Sequence, residues 1–174
     1  MLIRPARETD LPAIQAIYAH HVLTSSASFE LVPPDEAEML QRYRAIVGGG
    51  HPYLVVEDGA TVQGYAYAGP YRARPAYRHT IEDSIYVAPA AVGRGVGRAL
   101  LTRLVAECEA GGWCQMLAVI GDSANAASIA LHAALGFRHA GTLHAVGWKF
   151  GRWVDSVLMQ RPLGAGSGAP PLRP

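Results

Sequence analysis

Three glycines at alternate positions, Gly93, Gly95 and Gly97, follow an apolar stretch and precede a segment with helical spacing. Backbone N–H groups in such a loop can close directly around an anion, because little side chain covers them. The helix dipole favours negative charge there, and Arg94 and Arg98 add formal positive charge. The pattern predicts a site for the pyrophosphate of a nucleotide-like cofactor. The alternative is a glycine-rich turn that only begins a helix.

Two common phosphate-binding motifs do not fit this loop. A P-loop requires Gly-Lys-Ser/Thr, whereas Gly97 is followed by Arg98-Ala99. A dinucleotide-binding fingerprint would need its third glycine at the position of Arg98. The loop therefore indicates a different cofactor.

Glu82 lies on a predicted strand, Thr80 to Val87, that leads into the glycine loop. Period-two alternation puts it on the same face as Tyr86. A carboxylate there could act as a general base, directly or through a water, and burial would raise its pKa. The alternatives are an exposed strand glutamate, or one that pairs with Arg72 or Arg74.

Arg72, Arg74 and Tyr77 lie in a cationic, aromatic loop just before that strand. A guanidinium binds two oxygens at once, so these residues suit recognition of an oxyanion such as a carboxylate. Arginines exposed on a surface loop are the alternative interpretation.

Composition limits the class of protein. The chain has 174 residues, 50% hydrophobic and 17% charged, which predicts one soluble globular domain. The 15 basic and 14 acidic side chains nearly cancel, which argues against a nucleic-acid-binding protein. Cys108 and Cys114 are too few for a disulfide framework, the histidines lack metal-ligand spacing, and no signal peptide or membrane span is found. We expect a cytoplasmic protein without a metal site.

Periodicity and turn signals predict an α/β protein with a mixed sheet of seven strands flanked by about four helices. The predicted order is strand, two helices, three strands, helix, strand, helix and two strands. The last helix covers Ala124 to Leu135, capped by Asp122 or Ser123, and the last two strands turn at Gly147-Trp148. Residues 1–162 form the predicted domain, and the Gly/Ala/Pro-rich segment 163–174 is predicted to be disordered.

The glycine loop resembles the acetyl-CoA loop, Arg/Gln-x-x-Gly-x-Gly/Ala, of the GNAT acetyltransferase superfamily at Gly95 and Gly97. Val92 stands at the Arg/Gln position, which is a departure from the pattern. The element order and a Leu-Gly-Phe ending after the last helix agree with this resemblance, which implies the GNAT fold and acetyl-CoA as cosubstrate. It also implies that the cofactor is held by Ile85, Tyr86, Val87, Gly93, Arg94, Gly95, Val96, Gly97, Arg98 and Asn125.

Four separated segments resemble the phosphinothricin N-acetyltransferase group, which includes methionine sulfoximine-acetylating members. They are the Tyr65–Tyr77 segment, Thr80-x-Glu82-x-x-x-Tyr86-Val87, Asn125 with Leu131-His132-x-Ala-Leu-Gly136, and Gly147-x-Lys-x-Gly-x-Trp153-x-Asp155. This resemblance implies acetylation of the α-amino group of a small amino-acid analogue by direct attack, in a homodimer whose active site a second subunit often completes. A GNAT enzyme acting on a peptide or protein amine, and a non-catalytic acyl-CoA-binding module, are the alternatives.

The resemblance also suggests roles for individual residues. Glu82 would be the general base, and Phe29 and Glu30 would wall the substrate pocket, although Ser28 and Glu30 vary the residues of the group. His132 stands where many GNAT enzymes place a tyrosine near the departing sulfur, so it could protonate the thiolate or bind the cofactor. A buried, hydrogen-bonded core histidine is an equal alternative. Asn125 could hold the pantetheine arm or cap the last helix.

Overall fold

A computed structural model describes residues 1–173 and shows seven strands and four helices in the predicted order. The strands are β1 (Leu2–Pro5), β2 (Tyr53–Asp58), β3 (Thr61–Pro70), β4 (Thr80–Val87), β5 (Gln115–Gly121), β6 (Arg138–Lys149) and β7 (Arg152–Pro162). The helices are α1 (Leu11–Thr24), α2 (Glu36–Gly48), α3 (Val96–Ala110) and α4 (Ala126–Ala134). The predicted α/β class and mixed seven-stranded sheet are confirmed.

The strands form one sheet in the order β1-β2-β3-β4-β5-β7-β6. Only β4 and β5 are parallel, because α3 returns the chain across the sheet between them, and every other neighbouring pair is antiparallel. This parallel pair lies in the middle of the sheet, where both faces are covered.

Helices cover the two faces of the sheet and bury two separate cores. On one face, α1 and α2 pack on β2 and β3 around side chains such as Ile14, Tyr43 and Tyr65. On the other face, α3 places Leu100 and Leu104 against the sheet, as its helical period requires. Tyr86 of β4 packs against the first core, whereas Met116 and Ile120 of β5 lie in the second.

The structure corrects the predicted hairpin turn. Gly147 and Trp148 pair with Val154 and Trp153 inside the β6–β7 ladder, and the turn lies at Phe150–Gly151. Both turn residues have positive φ, 52° and 70°, as a two-residue hairpin turn of this kind requires. A phenylalanine does not indicate a residue with positive φ, whereas a glycine does. The sequence therefore favoured a turn at Gly147, which is wrong.

Two further boundaries differ from the prediction. Asn125, not Asp122 or Ser123, caps α4, and its side chain accepts the N–H of Ser128 at 3.3 Å. The predicted tail was wrong at Leu163, which is 1% exposed, joins the core and donates its N–H to the Cys114 carbonyl at 2.9 Å. Pro174 lies outside the described residues, and disorder of the remaining tail stays a prediction.

Candidate functional site

The central parallel strands separate at the site. β4 and β5 pair only from Thr80 opposite Gln115 to Asp83 opposite Ala118. Beyond that point β4 continues beside β3, and β5 continues beside β7, with no ladder between β4 and β5. A gap therefore opens beside Ser84–Val87, where the backbone groups of β4 on the β5 side have no strand partner.

A groove of about 430 Å³ lies on the α4 side of this gap. Its lining includes Ile85 and Val87 from β4, Leu131 from α4, Asn125 at the N-terminus of that helix, and Ser26 from the loop after α1. Strand amides and apolar side chains together suit a chain of alternating amide and methylene groups, which is the chemistry of pantetheine.

The glycine loop stands at one end of this groove. Gly93 and Gly95 have φ of 78° and 80°, a conformation that L side chains rarely adopt, and α3 begins directly after Gly95. A Cβ at Gly97 would approach Leu131 at 3.3 Å and Val87 at 3.6 Å. The first two glycines therefore shape the turn, whereas Gly97 allows α3 to pack closely.

Other predicted cofactor residues differ in what they offer. The Val96 side chain is buried in the core, so only its backbone can meet a ligand. Arg94 is exposed and lies 3.4 Å from Asp58, and Arg98 is exposed on the first turn of α3. The free N–H groups of this turn, the helix dipole and the two guanidinium groups fit a pyrophosphate.

Glu82 lies on the opposite face of β4, in a second cavity of about 390 Å³. Ser84 and Tyr86 from the same strand line this acceptor cavity, together with Phe29 and Glu30 from the loop after α1. Burial raises the pKa of Glu82, and the charge of the neighbouring Asp83 raises it further. A half-buried carboxylate of this kind can act as a proton acceptor close to the gap.

The loop from Ser25 to Glu30 is held in place by backbone contacts that admit no extra atoms. A Cβ at Gly121 would lie 1.9 Å from the Ser26 carbonyl oxygen, and one at Gly147 would lie 2.6 Å from the Phe29 ring. These two glycines let the loop pack on β5 and β6, which sets the position of Phe29 over the acceptor cavity.

Lys149 of β6 also holds the Ser25–Glu30 loop in place. Lys149 is 4% exposed, and its Nζ donates a hydrogen bond to the Ser28 carbonyl at 2.6 Å. Burial lowers the pKa of Lys149, and the charge of Glu30 partly opposes this. Glu30 accepts from the Tyr18 hydroxyl at 3.0 Å and from Arg42 Nη1 at 2.6 Å.

His132 lies on the α4 side of the gap, at its narrow end, and is 2% exposed. Its Nδ1–H donates to the Ser128 carbonyl at 2.7 Å, and its Nε2 lies 3.1 Å from Asp83 Oδ2. Burial disfavours the charged form of His132 and lowers its pKa. The hydrogen bond to Asp83 and the negative charge of Asp83 outweigh this effect of burial, so the pKa of His132 is raised. The geometry is that of a buried, hydrogen-bonded histidine beside the gap.

Asn125 caps the last helix, as one of the two alternatives from the sequence has it, and it also lies where the other alternative, a contact with the pantetheine arm, needs it. It caps α4, as described above, and its side chain also lines the groove and the gap. Its Nδ2 lies 3.5 Å from the Gly121 carbonyl, which is a long hydrogen bond and leaves donor capacity towards the groove.

The arginine loop is not part of the acceptor cavity. Arg72, Arg74 and Tyr77 are exposed, and none of them lines the cavity beside Glu82. The Arg72 guanidinium stacks on the rings of Tyr71 and Tyr77 at 5.1 and 5.8 Å. No arginine contributes to the pKa shift of Glu82. The structure therefore brings Phe29, Glu30 and Glu82 together, and leaves this loop outside.

Sequence reasoning missed several residues that build the site. Asp122 accepts from Ser26 Oγ at 2.9 Å and from Arg152, and it adopts a positive φ of 76°. Gly121, Gly147 and Lys149 hold the loop that covers the cavity. Their signal was weak because each acts on a partner far away in the sequence. Within residues 1–173, no group of three or more His, Cys, Asp or Glu side chains is arranged to hold a metal ion, and no helix has the length and apolar character needed to cross a membrane.

Comparisons with known proteins agree with this geometry. The sequence model of the Acetyltransferase (GNAT) family matches residues 14–137. A phosphinothricin N-acetyltransferase of Alcaligenes faecalis is 60% identical over 94% of this chain and 83% of its own. An L-methionine sulfoximine/L-methionine sulfone acetyltransferase of Salmonella typhimurium is 44% identical over 94% of this chain and 95% of its own.

A crystal structure of a GNAT superfamily phosphinothricin acetyltransferase from Sinorhizobium meliloti, in complex with acetyl-CoA, is also similar. It is 49% identical, superposes with a TM-score of 0.95, and the match covers 98% of this chain and 92% of that one. Groove, gap and family together identify acetyl-CoA as the cosubstrate. The chain therefore belongs to the GNAT acetyltransferase family and is an acetyl-CoA-dependent N-acetyltransferase.

Proposed function

We propose that this enzyme acetylates the α-amino group of a small amino acid or analogue of the phosphinothricin, methionine sulfoximine or methionine sulfone type. The observation that carries the proposal is the position of Glu82, in an acceptor cavity that meets the cofactor groove across the β4–β5 gap. The names of the relatives agree with an acceptor of this size. The Ser25–Glu30 loop covers the cavity, which disfavours the extended groove that a peptide acceptor needs.

Glu82 acts as the general base. An α-ammonium must lose a proton before its nitrogen can attack a thioester, and a carboxylate with a raised pKa accepts that proton more readily. Acetyl-CoA supplies the activated acyl group. The nitrogen attacks directly in a ternary complex, the new C–N bond forms, the C–S bond breaks, and the thiolate leaves. The nitrogen then loses its second proton, and uptake of one proton converts the thiolate to the free thiol of CoA.

On the cofactor side, we assign Ile85, Val87 and Asn125 to the pantetheine arm, since all three line the groove. The turn at Gly93–Arg98 would hold the pyrophosphate. His132 lies beside the gap and shares a proton with Asp83 through Nε2, so protonation of the departing thiolate would have to pass through this buried pair. Arg74 remains the proposed carboxylate ligand and needs a test, because it stands outside the cavity.

We also propose that the enzyme works as a homodimer in the cytoplasm. The β6–β7 hairpin exposes large apolar side chains, with Trp148 56%, Phe150 57% and Trp153 62% accessible. Monomeric proteins rarely leave such aromatic side chains clustered in water. The same hairpin holds the Phe29 loop through Gly147 and Lys149, so a second copy seated on it would adjoin the acceptor cavity.

A thiol-release assay across phosphinothricin, methionine sulfoximine, methionine sulfone and the common amino acids tests the acceptor. We expect release above background with one or more of them, and release with peptide amines alone would refute the proposal. Light scattering of the wild type and of Trp153→Lys tests the dimer. A monomeric wild type would refute that part.

A further inference from the structure

Another cavity, separate from the acceptor cavity, lies on the same face of the sheet as Glu82. It is formed between the two N-terminal helices and strands β2 and β3. It has a volume of about 270 Å³. Three tyrosine rings from the sheet and one from α1 line it, with Met39, Arg42 and Ala45 of α2. We call it the tyrosine cavity. Neither the glycine loop nor the cofactor groove contributes to it.

Strand register places the tyrosine cavity directly beside Glu82. Tyr67 stands opposite Ser84 across the β3–β4 pair, and opposite Tyr53 across the β2–β3 pair. Paired residues of neighbouring strands point to the same face, so Glu82 and Ser84 share their face with Tyr67 and Tyr53. The Tyr53 and Tyr67 rings are stacked, with their centroids 5.0 Å apart.

Little protein separates the two cavities. Tyr18 lines both cavities. Glu30 of the acceptor cavity and Arg42 of the tyrosine cavity form an ion pair at 2.6 Å. Gly69 stands opposite Glu82 on β3 and presents no side chain of its own, and the Ile46 side chain packs over it. A Cβ at Gly69 would approach Ile46 of the tyrosine cavity at 3.0 Å. The two spaces are neighbours across one hydrogen-bonded set of side chains.

The chemistry of the tyrosine cavity is selective. Ring faces and Met39 favour methylene groups and sulfur, whereas the Tyr53 phenol and Arg42 can donate to oxygens. The Tyr18 phenol already donates to Glu30. None of its lining residues is a carboxylate. At about 30 Å³ per water-sized group, the volume is on the order of nine such groups. One strand spacing of about 4.8 Å is also within the reach of a short linear side chain.

We propose that the tyrosine cavity receives the side chain of the acceptor amino acid and selects linear side chains that end in hydrogen-bond-accepting oxygens. Sulfone, sulfoximine and phosphinate groups have that chemistry. This assignment rests on the proposed function: with the α-amine beside Glu82, the side chain extends past Ser84 towards Tyr67 and Tyr53.

Ala45→Phe tests the assignment by filling the cavity from its solvent edge. We expect kcat/KM for methionine sulfone to fall at least about tenfold, the scale of a blocked side-chain pocket, while kcat/KM for alanine and the KM for acetyl-CoA stay unchanged. Ala37→Phe is the matched control, since it makes the same change at an exposed position of the same helix that does not line the cavity. A loss equal for alanine and methionine sulfone, or no loss, would overturn the assignment.

Tyr53→Phe removes one phenol and keeps the ring. It should reduce the preference for methionine sulfone over methionine at least about threefold, and an unchanged preference counts against oxygen recognition by Tyr53. Calorimetry with methionine sulfone gives a readout that needs no turnover. Thiol release with no amino acid of the panel would refute the proposed function alone. Failure of the wild type to bind methionine sulfone, or equal binding by wild type and Ala45→Phe, would refute the cavity assignment.

Discussion

Lys149→Met tests whether the hairpin positions the wall of the acceptor cavity. Lys149 is the only lysine in the chain, and its ammonium donates to the Ser28 carbonyl from a site that is 4% exposed. A hydrogen bond from a charged donor contributes about 1.5–3 kcal/mol, and a buried carbonyl left without a partner costs about 1–3 kcal/mol.

The net effect is smaller than either figure, because the buried ammonium is itself costly, as its lowered pKa indicates. We therefore expect a loss of about 1–2 kcal/mol, which corresponds to a factor of about 5–30. Since the lost bond holds the loop that carries Phe29 and Glu30, this factor should be seen as a higher KM for methionine sulfone. The KM for acetyl-CoA should stay unchanged.

The assay measures both Michaelis constants by thiol release, with urea unfolding to establish that the variant is folded. Arg138→Met is the control, because it removes an exposed cation from the same strand. A folded Lys149→Met variant with an unchanged acceptor KM would refute the view that this lysine positions the loop.

Three further predictions concern the loop, the buried pair and the arginines. Gly95→Ala should lower the free energy of unfolding by about 1–2 kcal/mol, because Gly95 has a φ of 80°, and should weaken acetyl-CoA binding. Gly97→Asp should mainly destabilise α3, because it places a carboxylate against Leu131. Urea unfolding measures the stability of each variant, and calorimetry measures its acetyl-CoA binding. His132, with a raised pKa, contributes stability that is present below about pH 6.5 and is lost as the pH rises through that raised pKa. His132→Gln should therefore flatten the fall in unfolding free energy as the pH rises above about 6.5, and an unchanged slope would contradict this. Arg74→Ala should raise the acceptor KM if this arginine binds the carboxylate, with Arg74→Lys recovering part of the loss; unchanged kinetics would make the loop a solvated surface.

The fold was predictable because each element carries a local signal. Helical spacing of Leu100, Leu104 and Cys108, the nearly continuous apolar run of β5 and the glycines that end the helices gave the element order. The hairpin turn at Phe150–Gly151 was missed, since the pairing of Trp148 with Trp153 depends on the whole ladder and not on local residue types.

The site was predictable in part. Glu82 and the glycine loop follow from alternation and spacing within one segment. The contact between His132 and Asp83 could not be predicted in this way, because Asp83 belongs to a strand and His132 to a helix 49 residues later. The exposed position of the Arg72–Tyr77 loop depends likewise on how the β3–β4 connection leaves the sheet, which no residue type in that loop reports.

In the proposed mechanism, Glu82 is the base that deprotonates the acceptor amine beside the β4–β5 gap. The most direct measurement is the pH dependence of kcat/KM for methionine sulfone in wild type and in Glu82→Gln, with Glu36→Gln as a control at an exposed position of α2. We expect the wild-type rate to fall on the acid side as the raised pKa of Glu82 is crossed. Glu82→Gln should lose about a hundredfold or more, with normal acetyl-CoA binding by calorimetry and partial recovery at high pH. A folded Glu82→Gln variant with wild-type turnover, or with a loss that high pH does not relieve, would show that Glu82 is not the general base.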